Sequence, residues 1–210
     1  MKTTSPLVLA LASLASVVSS QSVTGEAEGF AAGVTGGGNA EAVRPQNIEE
    51  LQTYLTDEEP RVIVLEDVFD FTDSEGTESG TVCANWGTGE ACQKIIGDDC
   101  GDTPSLQATW NKAATSPIDV ASDKTLLGVG SNAGIKGKGL RFRAGASNII
   151  VQNIAVTDLN PQFVWGGDAI SFDGSDLIWI DHVTVSDPSV ASLSLRYSNH
   201  NDMTIRNINH

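Results

Sequence analysis

Residues 148–156 read NIIVQNIAV, residues 176–184 read DLIWIDHVT, and residues 202–209 read DMTIRNIN. Each segment opens with a polar residue, continues as an apolar run, and reaches a second short strand after another polar residue. The segments start 28 and then 26 residues apart. An earlier copy, residues 124–130 (KTLLGVG), lies about one period upstream. A self-similar period of roughly 20 to 50 residues is typical of stacked architectures.

The residue types within the repeat predict strands. Ile, Val, Leu and Thr form short runs that are bounded by Asn, Asp, Gly and Ser, which is typical of strands between tight turns. In a β-solenoid, each coil covers its inward side chains with the coils above and below it. We therefore expect stacked strands near 148–151, 176–180 and 202–206. The polar residues expected to stack at the turn that follows them are Asn153, Asp181 and Asn207.

The chain before the repeat contains one helix and one buried strand. Residues 48–55 (IEELQTYL) have helical spacing, with Asn47 as the N-cap and acidic residues in the first turn. Residues 61–65 (RVIVL) form an apolar run that predicts a buried strand. Residues 70–119 are rich in turn formers, and we expect a long irregular excursion that the cysteines hold in place.

The N-terminus is typical of a secretory signal peptide. Lys2 is positively charged, residues 7–18 form an apolar run, and Val18 and Ser20 place small residues before a cut ahead of Gln21. The run is shorter than the ~20 apolar residues that a membrane span needs. We therefore expect removal of residues 1–20 and secretion of the remainder as an extracellular protein.

The charge balance restricts the partners. The chain carries 27 acidic against 12 basic residues, a formal charge of −15 at pH 7, and loss of Lys2 makes it more negative. Such a surface repels polyanions. We expect neither nucleic acid nor a membrane as a partner, whereas neutral ligands are not disfavoured.

Three cysteines, Cys83, Cys92 and Cys100, lie in one stretch rich in Gly and Asp. A secreted chain normally oxidises such thiols to disulfides, but three cannot all pair with one another. One partner is missing, one thiol is free, or one bond joins two molecules. A zinc site is disfavoured because the stretch has no His and no CxxC spacing, and we predict no metal.

Two tryptophans in Gly-rich loops are candidates for carbohydrate binding. Trp86 and Trp165 are flat rings with a polar N–H, a combination that suits stacking on sugar faces. Trp165 is followed by Gly166, Gly167 and Asp168. Two glycines let the backbone approach a ligand closely, and a carboxylate beside an aromatic ring is a plausible contact.

Two other charged groups have competing interpretations. Four basic residues alternate after residue 135 and either form a basic face for a uronate or, as we favour, lie at solvated strand edges. His182 is either a general base that the Asp181 carboxylate orients or a structural residue that is hydrogen-bonded within the stacked strands. We favour a structural role because adjacent strand residues point to opposite faces. The four basic residues are Lys136, Lys138, Arg141 and Arg143.

Several segments together resemble the fungal pectin lyases, in order and with similar spacing. They are residues 28–38 (EGFAAGVTGGG), 61–77 (RVIVLEDVFDFTDSEGT), 83–92 (CANWGTGEAC), 134–140 (GIKGKGL), 148–170 (NIIVQNIAVTDLNPQFVWGGDAI) and 177–184 (LIWIDHVT). The resemblance implies an all-β, right-handed parallel β-helix. It also implies β-elimination in methyl-esterified galacturonan, without a cofactor, by a monomeric enzyme.

The resemblance also assigns residues. Asp168 matches a carboxylate near the cleavage site, and Trp86 and Trp165 match aromatic residues of the substrate groove. Cys83 and Cys100 match a disulfide, and Cys92 matches a cysteine whose partner lies further along the family's sequence.

Two arginines of the family have no counterpart in this sequence. Val190 lies near the place of a cleft arginine, and the catalytic arginine belongs to a coil beyond residue 210. We therefore expect residues 21–210 to be the N-terminal part of one β-helix domain, incomplete at its C-terminus.

Two alternative functions remain open. One is a non-catalytic β-helix that binds pectin. The other is a calcium-dependent pectate lyase, for which Asp168, Asp173 and Asp176 are the candidate acidic ligands.

Overall fold

In a computed structural model, the protein is built from short strands that stack in parallel. The structure describes residues 22–89, 92–188, 193–196 and 203–209, so the expected signal peptide and Val190 lie outside it. The helices are α1 (Ile48–Thr56) and α2 (Lys112–Thr115), with a 3-10 turn at Gly29–Ala31. The strands are β1 (Ala42–Val43), β2 (Arg61–Leu65), β3 (Val68–Asp70), β4 (Thr77–Cys83), β5 (Lys94–Ile96), β6 (Ser105–Asn111), β7 (Ile118–Asp119), β8 (Lys124–Gly128), β9 (Gly134–Lys136), β10 (Leu140–Arg143), β11 (Ser147–Gln152), β12 (Ala155–Leu159), β13 (Phe163–Val164), β14 (Ile170–Asp173), β15 (Asp176–Pro188), β16 (Leu193–Arg196) and β17 (Met203–Asn209).

The stack has three faces. The first holds β1, β2, β8 and β11, and the second holds β3, β9 and β12. β15 joins these two faces, since its first half pairs with β11 and its second half pairs with β12. The third face is the parallel sheet β7-β10-β14-β16. All three predicted repeat strands lie side by side, in the order β11, β15 and β17, so the repeat prediction is confirmed.

The predicted alignment of the repeats was wrong by one residue. Ser147, rather than Asn148, pairs with Asp176, and Gln152 pairs with Asp181. Asn153 therefore stacks beside His182 and not beside Asp181. Asn153 and His182 both have left-handed backbone conformations, with φ of 57° and 52°. Matching polar residues misled the alignment because backbone geometry, and not polarity, defines the corner of a coil.

Residues 70–119 are more regular than predicted. They contain β4 and β6, which pair in antiparallel register along their whole length, and β5, which pairs with β4. These strands read TESGTVC and SLQATWN, so they lack the apolar runs that predicted the other strands. The disulfide between Cys83 and Cys100 closes this sheet, as the resemblance implies, and Cys92 is a free thiol.

The predicted helix and buried strand are confirmed as α1 and β2. The Asn47 side chain accepts a hydrogen bond from the backbone N–H of Glu50, at 2.8 Å, and so satisfies an otherwise free donor of the first turn. Leu51 and Leu55 are fully buried in the main core. The helix thus covers apolar side chains of the first coil.

A buried lysine ties α1 to the sheet. Lys124 is fully buried, and its Nζ donates to Asp57 Oδ1 at 2.7 Å and to the carbonyl of Glu59. Asp57 also accepts from Arg61 Nε at 2.6 Å. A buried cation needs such partners, because an uncompensated charge in the interior costs several kcal/mol.

Asp57 is expected to make the protein sensitive to acid. Burial works to raise the pKa of Asp57, but hydrogen bonds from Arg61 and Lys124 outweigh it and hold this pKa below its usual value. A carboxyl with a lowered folded-state pKa stabilises above its unfolded pKa, about 3.9, and loses this effect as the pH falls through the folded value. We expect the free energy of unfolding, measured in urea, to fall below about pH 4.

Asp57→Asn should lower stability at neutral pH and flatten the acid limb of that profile. Asp102→Asn, at an exposed position, is the control and should leave the profile unchanged. An unchanged acid limb in Asp57→Asn would show that other groups dominate acid unfolding.

Candidate functional site

The candidate site lies where the loop of residues 160–169 meets the third face. Asp168 stands two residues before β14, and the Ala169 carbonyl accepts a hydrogen bond from Leu140 N at 2.9 Å. In the coil below, a Cβ added to Gly139 would lie 1.9 Å from the Asp168 carbonyl oxygen. Only glycine at position 139 therefore lets the backbone of Asp168 rest directly on the preceding coil.

The loop presents one aromatic ring and one carboxylate. Trp165 has a φ of 66° and is 66% exposed. Gly167 has a φ of 143°, and a Cβ there would lie 2.3 Å from the carbonyl oxygen of Ala114. The loop is thus pressed against α2 while Trp165 extends into solvent. Asp168 is half-buried and has interactions with its surroundings.

Asn160 anchors this loop, and the sequence-based reasoning missed it. Its side chain is buried, and Nδ2 donates to the Gly166 carbonyl at 2.7 Å and to the Asn111 carbonyl at 2.9 Å. Oδ1 accepts from Asn111 N at 2.9 Å. An Asn between the apolar end of a strand and Pro161 was the available signal, because Asn tolerates the left-handed conformation (φ of 47°) found here.

Trp86 follows a strand of the same four-stranded sheet that precedes Trp165. It is 59% exposed and follows β4, whereas Trp165 follows β13. β4 is antiparallel to β5, and β13 is parallel to β5. The chain therefore runs in opposite directions as it leaves this sheet towards the two tryptophans, and the last residues of both strands, Cys83 and Val164, lie in register with Ile95.

The basic residues after position 135 do not share one face, nor do they lie at solvated edges. Lys138 is buried and pairs with Glu75, and Lys136 Nζ contacts Asp70 Oδ2 at 3.0 Å. The two arginines are on β10, which lies between β7 and β14. The predicted edge position was wrong because additional strands flank β10.

The comparisons with known proteins agree on a family. A family model described as pectate lyase matches residues 3–202, which is most of the chain. The chain belongs to the pectate lyase family. Two relatives of this family member are 61% identical over 99% of the chain: a probable pectin lyase A of Aspergillus flavus and a probable pectin lyase C of Aspergillus oryzae. Pectin lyase A of Emericella nidulans is 54% identical over 99% of it.

This pectate lyase family member spans about 55% of the length of those curated relatives. Two solved structures share its fold. A polygalacturonate lyase fused with a self-assembling amphipathic peptide has a TM-score of 0.50 at 22% identity, over 79% of this chain and 50% of that one. A pectate lyase from Acidovorax avenae subsp. citrulli has a TM-score of 0.52 at 18% identity, over 79% and 47%. The predicted parallel β-helix is confirmed.

In this pectate lyase family member, Asp181 and His182 are in contact, contrary to the prediction. His182 Nδ1 lies 2.9 Å from Asp181 Oδ2, which also accepts from Gln152 Nε2 at 3.0 Å. The opposite-face argument failed because His182 has a φ of 52° and lies at a corner, not within a flat strand. His182 is 60% exposed and Asp181 is buried.

The described part of this family member holds no cluster of three or more His, Cys, Asp and Glu side chains suited to a metal ion. Asp168, Asp173 and Asp176 accordingly do not form such a cluster. Over the same residues, no helix is both long and apolar enough to cross a membrane.

Proposed function

We propose that the chain is part of a pectin lyase that cleaves methyl-esterified (1→4)-α-D-galacturonan by β-elimination. The observation that carries this proposal is the 61% identity, over 99% of the chain, to relatives named as probable pectin lyases. Exposed Trp165 and half-buried Asp168 on one glycine-shaped loop give that function a local candidate site.

The proposed chemistry is consistent with the charge of the protein. Elimination breaks the C5–H bond and the C4–O bond and forms a C4=C5 double bond, while the proton goes to a base and the 4-linked sugar leaves. Esterification keeps the C6 carbonyl neutral, which makes the C5 proton easier to remove. A protein of formal charge −15 accepts such a neutral substrate more readily than a polyanion.

The proposed roles follow from exposure and position. Asp168 contacts the sugar unit at the cleavage site, and Trp165 stacks on a sugar face beside it. Trp86, which is 59% exposed, contacts another sugar unit of the polymer. The resemblance assigns the base to an arginine outside this sequence.

We also propose that residues 1–20 direct secretion and that residues 21–210 form part of one β-helix domain of an extracellular monomer. Under this proposal pectin is the partner, and nucleic acids and membranes are not. The acidic composition and the apolar N-terminal run support these statements.

A calcium-dependent pectate lyase is the second candidate. It is favoured by the description of the matching family model. A calcium-dependent pectate lyase would bind the de-esterified polymer, and this binding would require calcium.

Binding by the purified chain discriminates the two candidates. We expect retention on highly methylated pectin in affinity electrophoresis with a chelator present, and weaker retention on polygalacturonate. Trp165→Ala should weaken retention about 2- to 13-fold, because an aromatic contact contributes roughly 0.5–1.5 kcal/mol. Phe30→Ala is the matched control, since Phe30 is 70% exposed but distant in sequence from the loop. Binding that prefers polygalacturonate and needs calcium would contradict the proposal.

A further inference from the structure

β10 carries two arginines on the outer side of the third face. Leu140 and Phe142 are fully buried, whereas Arg141 and Arg143 alternate with them and point away from the core. Asp119 of β7 lies directly opposite Arg141. The three charged residues therefore form a cluster on the outer surface.

Two guanidinium groups share one carboxylate in this cluster. Arg141 Nε and Nη2 donate to Asp119 Oδ1 and Oδ2 at 2.5 and 3.1 Å. Arg143 Nε lies 2.9 Å from the same Oδ1. Hydrogen bonding from Arg141 and the two positive charges outweigh partial burial and keep the pKa of Asp119 below its usual value. Asp119 is therefore ionised above about pH 4.

Arg143 retains donors for a ligand. Its side chain is 56% exposed, and its one ion pair with another described residue joins Nε to Asp119. Asp173 lies opposite Arg143 on β14, but no ion pair joins them among the described side chains. Arg141, Arg143 and Asp119 carry two positive charges and one negative charge, and Asp173 beside Arg143 adds a second negative charge. The cluster attracts an anion through the unused donors of Arg143, and not through a net positive charge.

We propose that Arg141, Arg143 and Asp119 form a subsite for the carboxylate of an unesterified galacturonate unit. This inference rests on the proposed function, because it assumes that a galacturonan chain lies at Asp168. Leu140 is in register with Ile170, so Arg141 and Arg143 lie three and five residues beyond the level of Asp168. At ~3.3 Å per residue this is ~10 and ~16 Å along the strands. The subsite is therefore separate from the cleavage point.

The geometry favours an anion over an ester. A guanidinium presents parallel donors that match the two oxygens of a carboxylate, and such charge-assisted bonds are stronger than those to a neutral carbonyl. Asp119 already pairs with both arginines, so it competes with an incoming carboxylate for their donors. The subsite would let the enzyme accept partly esterified pectin while the sugar at Asp168 is an ester.

The test uses the purified chain and two probes, trigalacturonate and its trimethyl ester, titrated by calorimetry in chelator. Arg143→Gln should weaken trigalacturonate binding about tenfold and leave ester binding unchanged. Asp119→Asn should tighten trigalacturonate binding about threefold, because it removes the competing carboxylate. Arg44→Gln is the matched control, since Arg44 also pairs with a single acidic residue, Glu66, at 3.0 Å. Thermal melts check that each variant folds.

The subsite predicts that Arg143→Gln and Asp119→Asn change trigalacturonate binding in opposite directions. If the three residues form only a structural ion pair, both substitutions would weaken binding or leave it unchanged. Either of those results overturns the subsite. If Arg143→Gln does not change trigalacturonate binding and the trimethyl ester still binds, only the subsite fails. If the unsubstituted chain binds neither probe, both the subsite and the proposed function fail.

Discussion

Asp168→Ala is expected to lower the rate of elimination by about 100-fold with little change in thermal stability. A carboxylate that acts beside a reacting group typically contributes 10²- to 10⁴-fold through proton transfer or charge stabilisation. Asp168 is half-buried, follows two glycines within the loop, and lies outside the apolar core. The assay follows unsaturated products from methylated pectin in a chimaera. In it, residues 21–210 replace the matching part of the 61% identical Aspergillus flavus relative.

Asp67→Ala is the control for this experiment, since Asp67 is exposed and remote in the fold from the third face. It should retain the full rate. A large loss of stability with an unchanged rate in Asp168→Ala would instead make Asp168 a structural residue of the loop.

Phe142→Ala is expected to lower the free energy of unfolding by ~3–5 kcal/mol, the usual cost of truncating a buried Phe. Phe142 is fully buried and stacks on Phe172 of the next coil, with ring centroids 5.2 Å apart and planes at 25°. Removing the ring leaves a cavity between two coils whose stability depends on each other. Urea denaturation of the purified chain measures the effect.

Phe30→Ala is the matched control, because the same atoms are removed from a side chain that is 70% exposed. Its effect should stay within about 0.5 kcal/mol. Equal losses in the two variants would show that contact between the two rings is not a main source of stability in the stack.

The repeat strands could be predicted from sequence because apolar runs and polar turns alternate in them. Ile149 and Ile178, for example, are both fully buried in neighbouring coils. The register could not be predicted. Leu177 adopts a left-handed conformation with a φ of 51°, although its residue type does not favour it. Neighbouring coils impose this geometry, and it leaves no mark in the local sequence.

The candidate site was predicted in part. Trp165 and Asp168 were identified from their glycine-rich context, and their roles stay predictions. Asn160 was missed because its three hydrogen bonds link it to residues 6 and 49 positions away, which a local sequence pattern does not show. The two arginines of β10 were interpreted either as part of a basic face for a uronate or, as favoured, as residues at solvated strand edges. Their pairing with Asp119 depends on β7 lying beside β10, which the sequence does not reveal.

The initial rate of unsaturated-product formation by the chimaera, compared between two substrates, tests the proposed function most directly. We expect a high rate on highly methylated pectin in chelator, a much lower rate on polygalacturonate, and no stimulation by calcium. A rate that is higher on polygalacturonate and rises with added calcium would contradict the assignment as a pectin lyase.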